Sequence, residues 1–217
     1  MTRWLFEVSA GLYAWMTAQQ PWRDSCRRLM VGLPVTDHAL RIVDLGCGAG
    51  SSTLEIARQR PHDSVVGVDF AARMLGHARR RAQAEGLNGP RLSWIRADAG
   101  HLPFRANSVD AVTGHSVLYL LPDRHAVLQE CLRVLRPGGR LLVMEPSARS
   151  VGVRAVAGIS ADPRFLLSVA LWRPISWIYG RFAPASIERL FRASGFLRCE
   201  ATEALSGLGV CASGRKA

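Results

Sequence analysis

Short apolar runs alternate with longer stretches of helical spacing along most of this chain. The first run ends at Leu45 and is followed by three glycines on alternate positions, Gly46, Gly48 and Gly50, and then by a helical pattern. That order reads as a strand, a tight turn and a helix N-terminus. Residues 65–69 form a second short strand, 92–98 a third and 109–115 a fourth. The turn Arg136-Pro137-Gly138-Gly139-Arg140 feeds a fifth at 141–145. A helix is expected over 72–85 and a last one over 185–194, with Gly195 just past its end, where a left-handed residue closes a helix. Residues 196–214 supply two further strands as a hairpin. Strands alternating with helices predict an α/β fold around a mostly parallel sheet. At 217 residues the chain is expected to be a single domain over 1–217.

The glycine turn is where chemistry enters. Glycine is needed where backbone takes positive φ or approaches a ligand closely, and a helix start presents N–H groups without intrahelical partners. A dinucleotide loop has the spacing G-x-G-x-x-G with an acid about 20 residues on. Here the third glycine comes one residue early and Ser51 stands where that spacing wants glycine. Asp69, at the end of the second strand, could accept hydrogen bonds from a ribose diol. From these residues alone, NAD and S-adenosylmethionine both remain open.

The later segments separate the two. "VDLGCGAG", "GVDFAARML", "ADAGHLPF", "VDAVTGHSVLYLLPD" and "LRPGGRLLVMEP" occur in this order over residues 40–146. Each is weak by itself; as a series it resembles the class I S-adenosylmethionine-dependent methyltransferases. In motif style it is similar to their ubiquinone/menaquinone methyltransferase-like small-molecule group. The resemblance implies a Rossmann-like, seven-stranded, mostly parallel sheet flanked by helices, with the last strand antiparallel. It implies S-adenosylmethionine as cofactor. Gly46, Cys47 and Gly48 would pass their backbone under its methionine part, and Asp44 would help hold its amino group. Asp69 would take the ribose hydroxyls, Phe70 would lie on the adenine face, and Asp98 with the Ala99 N–H would meet the adenine edge. His115 would stand near the methyl end. One position departs from the pattern: Ala71 replaces the usual Ser or Thr before the second helix, which leaves that helix to start without a hydroxyl cap or to be capped by Asp69.

Charge and composition narrow the partners. The formal net charge is +11, and Lys216 is the single lysine, so arginine supplies almost all of it. The arginines are scattered apart from Arg79-Arg80-Arg81, which reads as a solvated surface away from the acceptor mouth. No zinc-finger spacing or aromatic RNA-binding signature points to nucleic acid. A peripheral membrane contact stays open, and the sequence is silent on oligomeric state. Five cysteines without a C-x-x-C pair fit reduced thiols and a cytoplasmic setting, and Cys47 reads as a small packing residue. The N-terminal stretch is broken by Glu7 and Ser9 and lacks a signal-peptide core. No His and acid cluster has ligand spacing, so no metal is expected; Asp123 and His125 fit a helix start after Pro122.

An open α/β sheet binds ligands beyond the carboxyl ends of its strands. Two segments are expected to cover that edge: residues 1–36 as a helical lid and 147–184 as a helical cap. Tyr13 matches a tyrosine of the quinone-type relatives, while Ala14 replaces the aspartate beside it. The cap is rich in apolar and aromatic residues with Arg164, Arg173 and Arg181 interleaved, and Pro163 and Pro174 are expected to break it into short helices. It serves either as the apolar wall of an acceptor site or as an interfacial helix. Methyl transfer needs alignment and exclusion of water, and a base only if the acceptor loses a proton. His115 and Tyr13 are the candidates for catalysis; Tyr119, Glu145 and Tyr179 are candidates for the acceptor wall. The expected activity is methyl transfer to a small, hydrophobic or aromatic molecule. A phospholipid-headgroup N-methyltransferase and a non-catalytic cofactor-binding protein are the alternatives.

Overall fold

A computed structural model describes residues 10–17, 19–87 and 89–217. The strands are β1 Arg41–Leu45, β2 Ser64–Asp69, β3 Leu92–Arg96, β4 Val109–His115, β5 Leu135–Pro146, β6 Leu197–Ala204 and β7 Gly209–Arg215. They form a seven-stranded sheet in the order β3-β2-β1-β4-β5-β7-β6. β1 to β5 run parallel, and β7 lies antiparallel between β5 and β6. The described helices are α1 Ala10–Met16, α2 Gln20–Met30, α3 Ser51–Gln59, α4 Ala72–Ala84, α5 Arg124–Val134, α6 Val153–Ile159, α7 Pro163–Tyr179 and α8 Pro184–Ala193. The expected Rossmann-like α/β architecture is the one observed.

The period of two along each strand divides the core. Val43, Leu45, Val66, Val68, Val112 and Val143 face one apolar cluster, which α5 and α8 close. Ile42, Val65, Ala111 and Leu142 face the other, with Ile56 of α3 and Leu33. Helices on both faces explain why the strands read as nearly unbroken apolar runs. The chain lays β1, β2 and β3 toward one edge and then β4 and β5 toward the other. The order therefore reverses between β1 and β4, and the crevice at their carboxyl ends lies between Leu45 and His115.

Three elements differ from the pattern expectation. β3 stops at Arg96, and Asp98 pairs with His101 in an isolated bridge. β5 begins at Leu135, because Val109 pairs with Leu135 before the register shifts to Ala111 and Arg140; Gly138, at φ +80°, turns the chain within the strand. Pro174 does not end a helix. α7 runs through it for 17 residues, and the division in the cap falls instead between α6 and α7. Pro163 sits in the first turn, where its missing N–H has no intrahelical role, and Asp162 caps that end by accepting the Arg164 N–H at 2.8 Å. A proline inside a helix costs about 3 kcal/mol. The turn around it is braced: the Arg173 carbonyl accepts from the Ser176 hydroxyl at 2.8 Å and from Arg181 Nη2 at 2.7 Å.

α2 and the cap pack together beside the sheet. Trp22 of α2 joins Phe165 and Val169 of α7, Val156 of α6 and Met144 of β5 in one buried cluster. Its ring lies 5.6 Å from Phe165 and 5.4 Å from Trp172, and its Nε1–H donates to Ser168 Oγ at 2.9 Å. Trp22→Ala should cost about 3–5 kcal/mol of stability by urea unfolding; a loss below about 1 kcal/mol would mean that other contacts hold α2 to α7.

Candidate functional site

The turn after β1 is held from beneath and from the side. Gly46, Gly48 and Gly50 have φ of +60°, +52° and +84°. A Cβ at Gly46 would also stand 2.3 Å from Val117 Cγ2, so the sequence pattern answers both a backbone and a space requirement. Asp44 lies below the turn, fully buried. Its Oδ2 accepts from the Ser52 and Thr53 hydroxyls at 2.5 Å each, and its Oδ1 accepts from Thr113 at 2.8 Å. Burial raises its pKa, against those three hydroxyl donors. From the side, Asp69 Oδ2 accepts the Gly48 N–H and its Oδ1 the Ala71 N–H, both at 2.8 Å. Asp69 thus fastens the end of β2 to the turn and to the start of α4, the place left uncapped by Ala71.

Arg81 corrects part of the charge reading. It is not a solvated cation: its Nη1 reaches the Ala49 carbonyl at 2.9 Å and Ser51 Oγ at 3.1 Å, and burial lowers its pKa. Cys47 is buried, and burial with the nearby Asp69 and Asp44 pushes its thiol well up, which makes it an inert packing group. Among the described residues, no group of His, Cys, Asp and Glu could hold a metal ion.

Two cavities meet at this turn. The first, about 500 Å³, is lined by Gly46, Gly48, Asp69, Phe70, Asp98 and Ala99 among others. Six residues singled out from three separate motifs thus converge on one space. Asp98 is exposed there, and its Oδ1 accepts the Gly100 N–H at 3.0 Å. The second cavity, about 450 Å³, carries Cys47 and His115, with Trp22, Tyr119, Trp172 and Tyr179 among its walls. Gly46, Ser116 and Leu120 line both. Asp44 lines neither. Tyr13 lies on α1, but its side chain is outside the described residues, as are residues 1–9 of the expected lid.

Glu145 is a correction. Sequence reasoning put it among the candidates for the acceptor wall, but it is fully buried and lines neither cavity. It accepts the backbone N–H groups of Val117, Leu118 and Tyr119 at 3.0, 2.9 and 3.2 Å. Burial pushes its pKa up to about 7, against those three donors and the Arg124 charge. Through them it fixes the wall between the cavities, including Ser116 at φ +56°. Nothing in the local sequence marks Ser116 for such a role.

His115 is half-buried, and it has a partner the sequence did not reveal. Its Nε2 lies 2.7 Å from Ser25 Oγ, and that hydroxyl lies 2.7 Å from the Trp22 carbonyl. A hydroxyl has one proton. Donated to the carbonyl, it leaves Ser25 Oγ as acceptor and His115 Nε2–H as donor. Burial lowers the His115 pKa to about 4, so the ring is neutral at physiological pH.

Residues 43–143 match the family described as "Methyltransferase domain". The demethylmenaquinone methyltransferase of Thermus thermophilus is 42% identical over 119 residues, covering 55% of this chain and 53% of that protein. The trans-aconitate 2-methyltransferase of an Azoarcus species is 33% identical over 179 residues, covering 74% and 62%. The chain thus spans between half and two thirds of the length of these relatives. In fold, it superposes on an S-adenosyl-L-methionine-dependent methyltransferase structure from Methanococcus maripaludis with a TM-score of 0.76, at 17% identity, covering 97% of this chain and 93% of that one.

Two predictions follow from the site's hydrogen bonds. Thr113→Val, which removes one hydroxyl bond to a buried carboxylate, should cost about 1.5–3 kcal/mol in urea unfolding; an unchanged midpoint would show that Asp44 does not depend on it. The His115 ring should titrate by NMR near pH 4 instead of near 6.5. Its neutral form is favoured in the fold, so its contribution to stability is complete above pH 6.5 and is lost as pH falls through about 4. A midpoint above 6 would mean that the ring is open to solvent.

Proposed function

We propose that this chain is a class I S-adenosylmethionine-dependent methyltransferase, a reading supported by its match to the methyltransferase-domain family over residues 43–143 and its similarity to named methyltransferases, and that it transfers the cofactor's methyl group to a small, uncharged, apolar or aromatic acceptor. One observation carries the reading: the cavity lined by strand-end acids adjoins a second cavity whose described lining holds no Asp, Glu, Lys or Arg. The first has the acceptor groups that a nucleoside's hydroxyls and amino group need. Asp69 takes the ribose hydroxyls on the carboxylate that also holds the Gly48 and Ala71 N–H groups. Phe70 lies on the adenine face, with Asp98 and the Ala99 N–H at its edge. Gly46, Cys47 and Gly48 bring backbone close to the methionine part, and Asp44 acts from below by fixing their turn.

The bound cofactor supplies an electrophilic methyl group on a sulfonium, and the protein's part is to align an acceptor with it and keep water out. In this reading Ser116 and Leu120 form the sill between the cavities, and Trp22, Trp172, Tyr119 and Tyr179 wall the acceptor. Residues 10–17, 19–36 and 147–184 act as one cover, with Tyr13 on its α1 part. His115 is neutral, with one nitrogen committed to Ser25, and serves to shape the acceptor side.

The lining bears on the choice of acceptor. The Azoarcus relative is named for trans-aconitate, an anionic substrate that calls for cationic partners. The Thermus relative is named for demethylmenaquinone, an apolar ring. The second cavity suits the latter chemistry, and it offers no cation for a phosphate, which disfavours the phospholipid-headgroup alternative.

Calorimetric titration with S-adenosylmethionine, S-adenosylhomocysteine and NAD tests the cofactor. Binding of the first two without NAD is expected, and binding of NAD alone would refute the reading. Asp69→Ala should weaken S-adenosylmethionine at least about tenfold, the loss of bonds to a charged acceptor worth about 1.5–3 kcal/mol. Unchanged affinity would remove Asp69 from the ribose site. A screen of phenols and quinones with the labelled cofactor then reads out the acceptor.

A further inference from the structure

The outer face of α7 has no polar surface to match its exposure. Leu167, Leu171, Pro174 and Ile178 recur at spacings of three and four, so they share one side of the helix. All four are exposed, with Ala170, Ile175 and Trp177 beside them. Trp177 and Ile178 are 75% and 71% exposed. Arg164 is the one ionised side chain among the exposed residues of this helix. A helix on the surface of a soluble domain ordinarily turns polar residues outward. Here the inward side is filled by Phe165, Ser168, Val169 and Ser176, and the outward side is apolar as well.

Two observations bear on what covers it. Leu171, Pro174 and Ile175 are exposed and also line the second cavity, so the cavity opens at this face. The surrounding segment is cationic: residues 147–184 hold five arginines, Arg149, Arg154, Arg164, Arg173 and Arg181, and one acid, Asp162. Arg149 pairs with Glu203, Arg164 pairs with Asp162, and Arg173 and Arg181 hold backbone carbonyls, while Arg154 is exposed. An apolar helical face in a segment of net positive charge suits an anionic bilayer surface, where the apolar side chains enter the headgroup boundary and the charge is drawn to the lipid phosphates. Among the described residues, no helix is long and apolar enough to cross a membrane, so the helix would lie in the surface plane.

We propose that α7 docks on an anionic phospholipid surface with its Leu167–Ile178 side down, and that the second cavity opens into that surface. An apolar acceptor dissolved in the bilayer then enters past Leu171 and Ile175 without crossing water. The docking stands independently of methyl transfer; only the delivery of an acceptor rests on that reading.

The test is co-sedimentation of the full chain with vesicles of phosphatidylcholine alone and of phosphatidylcholine mixed with phosphatidylglycerol. It is run for the wild-type protein and for a Trp177→Asp, Ile178→Asp double variant; neither residue lines a cavity. Binding to the mixed vesicles is expected, weakened by salt and reduced about tenfold or more in the double variant. Circular dichroism, melting temperature and S-adenosylmethionine affinity of the variant should match the wild type, which separates loss of docking from loss of the cofactor site. Equal binding by both proteins would mean that net charge alone attracts the chain, and would overturn the proposal. So would no binding of the wild type to the mixed vesicles. A concentration-dependent dimer in sedimentation velocity, abolished by the double variant, would assign the face to a second copy instead.

Discussion

The Asp44 carboxylate is the point on which the site depends. It is a carboxyl group without access to water, held by three hydroxyls: Thr113 in β4, and Ser52 and Thr53 in the first turn of α3. Removing a carboxylate from water is costly unless its oxygens are bonded. That cost makes the arrangement specific. β1, β4 and α3 have to meet with these residues in register, and when they do, the glycine turn between β1 and α3 has little freedom left. Asp69 and Arg81 then fix the same turn from two other sides. Three separate restraints thus converge on five residues of backbone.

A similar logic builds the wall between the cavities. Glu145, at the end of β5, spends its oxygens on three successive backbone N–H groups after β4. Buried backbone donors need partners, and a loop turning at positive φ on a serine cannot obtain them from a regular ladder. One carboxylate supplies them and places Ser116 and Leu120 where both cavities reach them. The family resemblance reaches the first of these cavities in detail and the second hardly at all. The first is made of strand ends; the second is made by α2 and α7, whose contacts cross most of the chain, as between Trp22 and Ser168.

α7 carries two demands at once. Its inner side completes the core with Phe165 and Val169 and lines the second cavity through Trp172 and Tyr179. Its outer side is apolar without being buried. A sequence apolar all round a helix would ordinarily indicate a buried one, and the sequence reading accordingly held a cap and an interfacial helix as competing options. In the folded protein one side of the helix packs on the core and the other is apolar and exposed, continuous through Pro174.

The sequence by itself determined the succession of strands and helices and the positions of the three left-handed glycines, and its family resemblance implied six of the residues that line the first cavity. The first two are legible because they depend on local rules: unbroken apolar runs in strands covered on both faces, and the steric need for glycine at positive φ. The tertiary structure decided the rest. Ser25 as the partner of His115 lies 90 residues away. Glu145 could be read as facing an acceptor until the loop from β4 came back over it. Arg81 looked like part of a solvated basic run until α4 packed it under the glycine turn, and Pro174 looked like a helix break until Ser176 and Arg181 braced the turn around it. Each of these is a competition for hydrogen-bond partners or burial between segments distant in sequence, and only the packing of the whole chain decides who wins it.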